Sequence, residues 1–447
     1  MSTKSRGVLA ALAAGTMALT LVSGASAEPV DGDNPIIGVP ESSPATAEIY
    51  RIADADRIKT AIKASKSAKW GDIEYRDWQR WNCDGNSARF LNIYDGRLTT
   101  QPAGTEVQVP AFDTETFTWV QITCTAEYAF TESAGNLDII VARSDDYPDA
   151  LAAAPLADVL DAPILLNPTG ALNADVRAEI ARLAGEAGGS SNVVVHLLGG
   201  TNALSHAVEN SIDGIPNVDN TLRYQGIDRY ETAVNIAGVT VGAYGIDSDA
   251  DVYNVNAYIT TGRNFPDALS AGAAAAENDG VVVLTDDVKM DRRGFTEQFL
   301  INLNDWVDDD GDDRNTNENF AVGGPSAKAV VDYDIRHVAA YVGANRYETA
   351  TKTAQATFDD PEFMAIASGE GFADALVASG FIANADGPLL LTKNASLSSE
   401  TAAYLEAEGL DLDGDTLIVF GGPGSVSLNV SAQVKALVEK ILAPSVF

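Results

Sequence analysis

Three arginines stand at matching places in a chain with only 29 basic residues. Arg229 and Arg346 each open a segment reading Arg-Tyr-Glu-Thr-Ala, and Arg57 opens a looser copy, Arg57-Ile58-Lys59-Thr60-Ala61. A guanidinium held this way is either paired inside the protein, with Glu231 and Glu348 as candidate supports, or offered as a planar fork to a carboxylate or phosphate. Glycine pairs recur too, Gly199-Gly200, Gly323-Gly324 and Gly421-Gly422, each after an apolar run. They permit a tight strand-to-helix turn, and the N–H groups beyond them could also hold an anion. The third motif is Asp-Ala-Leu, at Asp149, Asp267 and Asp374. An Asp where a strand gives way to a helix is expected to accept the free N–H groups of the first turn, with a ligand or cation role as the alternative.

Hydrolytic chemistry finds little support. His-Glu-x-x-His and Gly-x-Ser-x-Gly are both absent, and the three histidines (His196, His206, His337) do not recur among the repeats. Acidic pairs such as Asp145 and Asp149 could serve glycoside hydrolysis. Among 64 acidic residues such pairs also arise by accident. Cys83 and Cys124 are the only cysteines. In an exported chain they are expected to form a disulfide closing a loop of about forty residues, worth roughly 3–4 kcal/mol in the chain-entropy picture. Two acidic turns, 308–312 and 411–415, match a Ca²⁺ loop poorly in spacing, so no cofactor is expected and Ca²⁺ is the one candidate.

The elements that must position these residues recur with them. Each Asp-Ala-Leu lies between an apolar strand and an Ala-rich helix, and a second short strand follows: Pro163-Ile164-Leu165-Leu166, Val281-Val282-Val283-Leu284, Pro388-Leu389-Leu390-Leu391. A further apolar run then ends at the glycine pair. Strand-helix alternation with apolar strands lacking a period of two predicts parallel sheets covered on both faces. Asp149 and Asp267 are 118 residues apart and Asp267 and Asp374 107, a spacing that approaches a small domain. Arg57 and Arg229 are 172 apart against 117 for Arg229 and Arg346, so the first unit carries an insertion. The aromatic-rich stretch 70–136 fits that insertion and reads as antiparallel strands; its aromatics serve either as its own core or as sugar-stacking surface.

The resulting division is a signal peptide at 1–27, a linker at 28–46, and units at 47–217, 218–335 and 336–447. The signal peptide rests on Lys4 and Arg6, an apolar run to Val22 and Ala25-Ser26-Ala27. Helical spacing is read from residue 48 to 69. A formal charge of −35 repels nucleic acid and anionic membranes, so neither is expected as a partner, and no membrane insertion is expected after signal cleavage.

In these motifs and their constant order the chain resembles the bacterial cell-wall-binding repeat 2 family. The resemblance implies three Rossmann-like or Toprim-like α/β modules around a pseudo-threefold axis, on an exported protein at the cell wall or surface of a Gram-positive-type envelope. It also implies non-covalent attachment to an anionic secondary wall polymer. The candidate polymer-binding residues are Arg57, Arg229, Arg346, the strand segments Pro163, Ile164, Leu165, Leu166, Pro388, Leu389 and Leu390, and the six paired glycines. The sequence departs from the pattern at Ile58-Lys59 and at Val281-Val282-Val283. An autolysin-like hydrolase and an adhesin acting through 70–136 are the alternatives.

Overall fold

The computed structural model describes residues 48–68, 70, 77–83, 87–93, 106–113, 118–131, 137–187, 193–244, 255–304, 317–331, 333, 338–408 and 415–442. The expected signal peptide, the linker and the acidic turns at 308–312 and 411–414 lie outside these residues.

The described chain opens with strand β1 (Glu48–Ile52) and helix α1 (Arg57–Lys66). Four antiparallel strands follow, β2 (Asp77–Cys83), β3 (Ser87–Ile93), β4 (Glu106–Asp113) and β5 (Thr118–Thr131), ordered β3-β2-β5-β4. They are the β-rich insertion, and their register sets Cys83 directly opposite Cys124.

The first unit then runs through β6 (Leu137–Arg143), α2 (Ala153–Val159), β7 (Ile164–Asn167), α3 (Ala174–Ala187), β8 (Val193–Leu198), α4 (His206–Asp213) and β9 (Asn220–Tyr224). The second comprises α5 (Arg229–Ala243), β10 (Ala257–Thr261), α6 (Pro266–Glu277), β11 (Val281–Thr285), α7 (Phe295–Asn304), β12 (Asn319–Val322), α8 (Gly324–Ala329) and β13 (Val338–Tyr341). The third comprises α9 (Arg346–Thr357), β14 (Phe363–Ser368), α10 (Phe372–Ala383), β15 (Leu389–Thr392), α11 (Ser399–Glu408), β16 (Thr416–Phe420) and α12 (Leu428–Leu442). Each unit has a four-stranded parallel sheet, ordered β7-β6-β8-β9, β11-β10-β12-β13 and β15-β14-β16-β1. β7, β11 and β15 are buried along their whole length, the state in which an apolar run needs no alternation.

The fourth strand of every sheet comes from the segment that leads into the next unit, so β9 and β13 complete the first and second sheets although they lie past the expected bounds at 217 and 335. β9 precedes α5, which packs on β11 of the second unit, and β13 precedes α9, which packs on β15 of the third. β1 precedes α1, which packs on β7 of the first unit, yet β1 itself pairs with β16 at the far end of the chain. The three sheets therefore close into a ring. The helical spacing read from residue 48 holds only from Arg57, because Glu48–Ile52 pairs residue for residue with Thr416–Phe420.

α2, α6 and α10 pack on one another at the centre of the ring, about the pseudo-threefold axis. Their Ala-rich composition is what lets three helices approach so closely. Ala154, Gly272 and Ser379 hold equivalent positions there, and a Cβ on Gly272 would lie 2.9 Å from both Ala154 Cβ and Ser379 Oγ. Ser379 Oγ donates to Leu269 O across the axis at 2.7 Å. One hydrophobic core runs through all three units, from Ile49 to Val438.

Candidate functional site

The repeated segment that carries the arginines is the start of a helix. Asp56, Asp228 and Asn345 are the N-caps of α1, α5 and α9, and each side chain accepts two first-turn amides: Ile58 and Lys59, Tyr230 and Glu231, Tyr347 and Glu348. Glu231 and Glu348 reach back to the amides of Ile227 and Ala344, closing a reciprocal cap that Lys59 leaves out. The repeated threonine also closes the turn, since Thr60, Thr232 and Thr349 hydroxyls accept from the amides of Asp54, Gly226 and Gly343 at 3.0–3.2 Å. The glutamates thus support the turn and make no ion pair with the arginines.

The arginines cross to the neighbouring loop. Nη1 of Arg57 donates to Ser144 O at 2.8 Å, Arg229 to Gly262 O at 2.6 Å, and Arg346 to Gly369 O. Those carbonyls are equivalent, one after each of β6, β10 and β14. Among the described residues none of the three guanidiniums has a carboxylate within salt-bridge range; Arg57 is exposed, and Arg229 and Arg346 keep part of their surface open. A guanidinium has five N–H donors, so most of each fork is uncommitted.

In units two and three the tyrosine after the arginine stands against this loop. A Cβ on Gly262 would lie 3.0 Å from Tyr230 Cε1, and one on Gly369 2.8 Å from Tyr347 Cε1. The first unit has Ser144 at that loop position and Ile58 in place of the tyrosine. The departure at Ile58 is therefore one half of a compensated pair.

The Asp-Ala-Leu carboxylates do not cap helices. Neither Phe265, Gly371 nor the turn before Asp149 forms a side-chain cap, and Asp267 and Asp374 lie inside their first turns. Each carboxylate instead rests on the first glycine of its own unit's pair. Gly199, Gly323 and Gly421 have φ of +96°, +92° and +104°, and a Cβ on each would fall 2.4, 2.1 and 2.7 Å from Oδ2 of Asp149, Asp267 and Asp374. Left-handed backbone and a carboxylate at van der Waals contact both require glycine there. The meeting point lies between the carboxyl ends of adjacent strands where the winding reverses, the crevice in which doubly wound sheets take ligands.

Burial pushes all three carboxyls up. Arg143, Thr232 and Arg229 oppose this at Asp149, and Ser425, Arg57 and Arg51 at Asp374. At Asp267 only Arg346 opposes it, and the carboxyl is pushed up to about 6. Each Asp is thus within electrostatic reach of the arginine that enters from the next unit.

The first glycine of each pair spends its amide on the fourth strand, donating to Tyr224 O, Tyr341 O and Ile52 O at 2.8–3.0 Å. The second glycine is sterically free, with its nearest Cβ neighbours at 3.4 Å or more. The strand candidates are placed inside: Pro163, Ile164, Leu165, Leu166, Pro388, Leu389 and Leu390 are all buried. Their side chains are enclosed in the core and are not presented at the surface.

Two arginines escaped the motif reading. Arg51 and Arg223, each in a fourth strand, clasp the glycine turn by donating to Gly421 O at 2.7 Å and Gly199 O at 2.9 Å. Both stand three residues before the Asp54/Gly226 position, a repeat obscured because the second sheet has Ala340 there. Also unforeseen is a sealed cluster in the first sheet, where His196 Nε2 lies 2.7 Å from Asp138 Oδ1 and Nδ1 2.8 Å from Tyr224 Oη. The equivalent place in the second sheet holds stacked Phe320 and Tyr341. No group of His, Cys, Asp and Glu among the described residues could hold a metal ion, and no described helix is long and apolar enough to cross a membrane.

Known proteins place this architecture. Two solved structures from Clostridium difficile share the fold: Cwp6, with a TM-score of 0.57 at 19% identity over 88% of this chain and 48% of that one, and Cwp8, with 0.58 at 21% over 88% and 51%. Among curated proteins of Bacillus subtilis (strain 168), the amidase enhancer is 29% identical over 163 residues, which is 36% of this chain and 20% of that protein. The N-acetylmuramoyl-L-alanine amidase LytC is 30% identical over 109 residues, 24% and 21% respectively. The chain thus spans about a fifth of the length of these relatives and about half that of the two structures. The model of cell wall binding domain 2 (CWB2) matches residues 51–209, 223–328 and 341–431, one match for each unit. With most of its length accounted for by three copies of that domain, the chain belongs to the CWB2 family.

Proposed function

We propose that the chain is a non-covalent anchor that grips an anionic glycopolymer of a Gram-positive-type wall at its three unit junctions. The observation that carries this reading is the threefold recurrence of a partly open guanidinium, on Arg57, Arg229 and Arg346, that spends one donor on a backbone carbonyl and none on a carboxylate. Arginine forks match carboxylate and phosphate groups, and the second-glycine amides add donors beside them. Each site is weak alone, and a repeating polymer engages three at once, so that the later contacts become intramolecular. The charge of −35 opposes an acidic polymer, which assigns the grip to these local cations or to bridging divalent ions such as Ca²⁺.

Export by the 1–27 segment, and a disulfide between the register-paired Cys83 and Cys124, complete the proposal for a protein working outside the cell. Binding rather than hydrolysis is its activity, so a peptidoglycan zymogram is expected to stay opaque. The decisive experiment is co-sedimentation with purified walls, either intact or stripped of accessory polymer. The parent is expected to pellet only with intact walls, and Arg229→Ala with Arg346→Ala to weaken binding at least about tenfold while remaining folded. Unchanged pelleting by the folded double variant would remove the arginines from the site.

A further inference from the structure

At one end of the axis the three units bring together three aromatic rings. Tyr147, Phe265 and Phe372 each stand two residues before the partly buried Asp of their unit. Their centroids are 5.5 Å (Tyr147–Phe265), 5.7 Å (Tyr147–Phe372) and 6.3 Å (Phe265–Phe372) apart, with planes inclined by 57–64°. All three rings stay partly exposed, although deeper along the axis the equivalent helix positions hold only Ala154, Gly272 and Ser379. Two of the junction arginines adjoin the cluster: the Arg57 guanidinium is 5.6 Å from the centroid of Phe372, and that of Arg346 is 5.9 Å from the centroid of Phe265. Tyr147 Oη donates to Arg263 O at 3.0 Å, tying the first unit's ring to the second unit's loop.

We propose that this triad is a saccharide-stacking platform, one subsite on the axis shared by all three units, which takes a single pyranose ring of the anionic polymer. The proposal rests on the wall-polymer reading and adds a fourth, central contact to it. The C–H face of a pyranose is apolar and flat enough to lie on aromatic rings, whose amphipathic neighbours then reach its substituents. The guanidiniums of Arg57 and Arg346, which lie over the Phe372 and Phe265 rings, supply the charge complement for carboxylate or phosphate groups on the flanking sugars. The rings come from three units, so the platform exists only when the sheet ring is closed, and a lone unit could not reproduce it.

The test uses the full chain and two probes. Chitobiose is a neutral hexosamine disaccharide that reports stacking by saturation-transfer NMR from aromatic protons. Purified walls report affinity as a function of salt. In Phe265→Leu with Phe372→Leu, transfer to chitobiose is expected to disappear and wall affinity to fall about tenfold, with the slope of affinity against salt unchanged. Arg229→Ala with Arg346→Ala should flatten that slope. Should the leucine variant not fold, Tyr147→Leu alone is expected to reduce transfer at least about threefold. A folded leucine variant that binds walls and chitobiose as the parent does overturns the platform and leaves wall anchoring standing. A parent that gives no transfer to chitobiose also overturns it. A parent that receives chitobiose but ignores walls supports the platform and refutes the anchoring function.

Discussion

A single φ value separates the two glycines of each pair. Gly323, at φ +92° with Oδ2 of Asp267 2.1 Å from where a Cβ would sit, is expected to lose about 2–4 kcal/mol on substitution by Ala. Gly324, whose nearest Cβ neighbour is at 3.8 Å, should change by less than about 1 kcal/mol; urea unfolding of both variants checks the contrast. The adjoining carboxyl sets a pH dependence. Burial raises Asp267 to about 6, against about 3.9 for an unfolded Asp. Below about pH 4 both states are protonated and no penalty applies. Between about pH 4 and 6 the unfolded chain releases the proton while the folded chain keeps it, so stability falls as pH rises and the full penalty stands above that range. Asp267→Asn should flatten this fall by about 1–3 kcal/mol, a range discounted for the partial exposure of the group. Equal pH slopes in the parent and in Asp267→Asn would show that the carboxyl titrates normally. The pair Ile58 and Ser144 offers a coupling test: Ile58→Tyr alone is expected to cost about 1–3 kcal/mol, and adding Ser144→Gly to recover most of it. Additive effects in the double-mutant cycle would deny that the two positions compensate.

At the level of elements, β1 carries the most consequence for its length. Five residues complete the third sheet, and Arg51 within them donates to Gly421 O at 2.7 Å, Val426 O at 2.9 Å and Ser431 Oγ at 2.5 Å. Arg51→Ala leaves buried carbonyls without their donor and is expected to cost about 2–4 kcal/mol. Amide exchange at Thr416–Phe420 should accelerate in that variant more than exchange at Asn319–Val322, where the second sheet has Ala340 in place of the arginine. Uniform acceleration across both strands would argue against a local clasp. Of the helices that start at Arg57, Arg229 and Arg346, only the first was read as helical spacing, and from residue 48 instead of Arg57. Capping was expected of Asp149, Asp267 and Asp374 at the helices of their own segments, where no side-chain cap forms, whereas the repeated side-chain caps are Asp56, Asp228 and Asn345 at the arginine-led helices. The signal was present: Asp228 and Asn345 each have a Glu three residues on, the mark of a reciprocal cap.

For the whole molecule, closure into a ring would join the three proposed junction sites into one multivalent surface. Removing one arginine of the three should therefore weaken wall binding far less than removing all three, and the triple Ala variant should lose the steep salt dependence expected of charge-led attachment. Wall pull-downs over a salt series check both, and equal losses from one and three substitutions would contradict a shared grip. Closure also sets what the axis can tolerate. With Ala154 Cβ and Ser379 Oγ both 2.9 Å from a Cβ at Gly272, the centre has no room for a larger side chain, and the Ala-rich helices are the composition that such an approach demands.

The sequence by itself determined how many units there are, the winding within each, the parallel sheets and the antiparallel insertion. All of these follow from periodicity and from motifs acting within a few residues of one another. The strands that cross between units, the glycine–carboxylate contacts and the aromatic triad were decided only by the tertiary structure. Glu48 and Thr416 become neighbours because the ring closes, and a pentapeptide carries no mark of a partner at the opposite end of its chain. Likewise, Tyr147, Phe265 and Phe372 read as unremarked loop residues until three helices with almost no side chains between them draw their loops to one point.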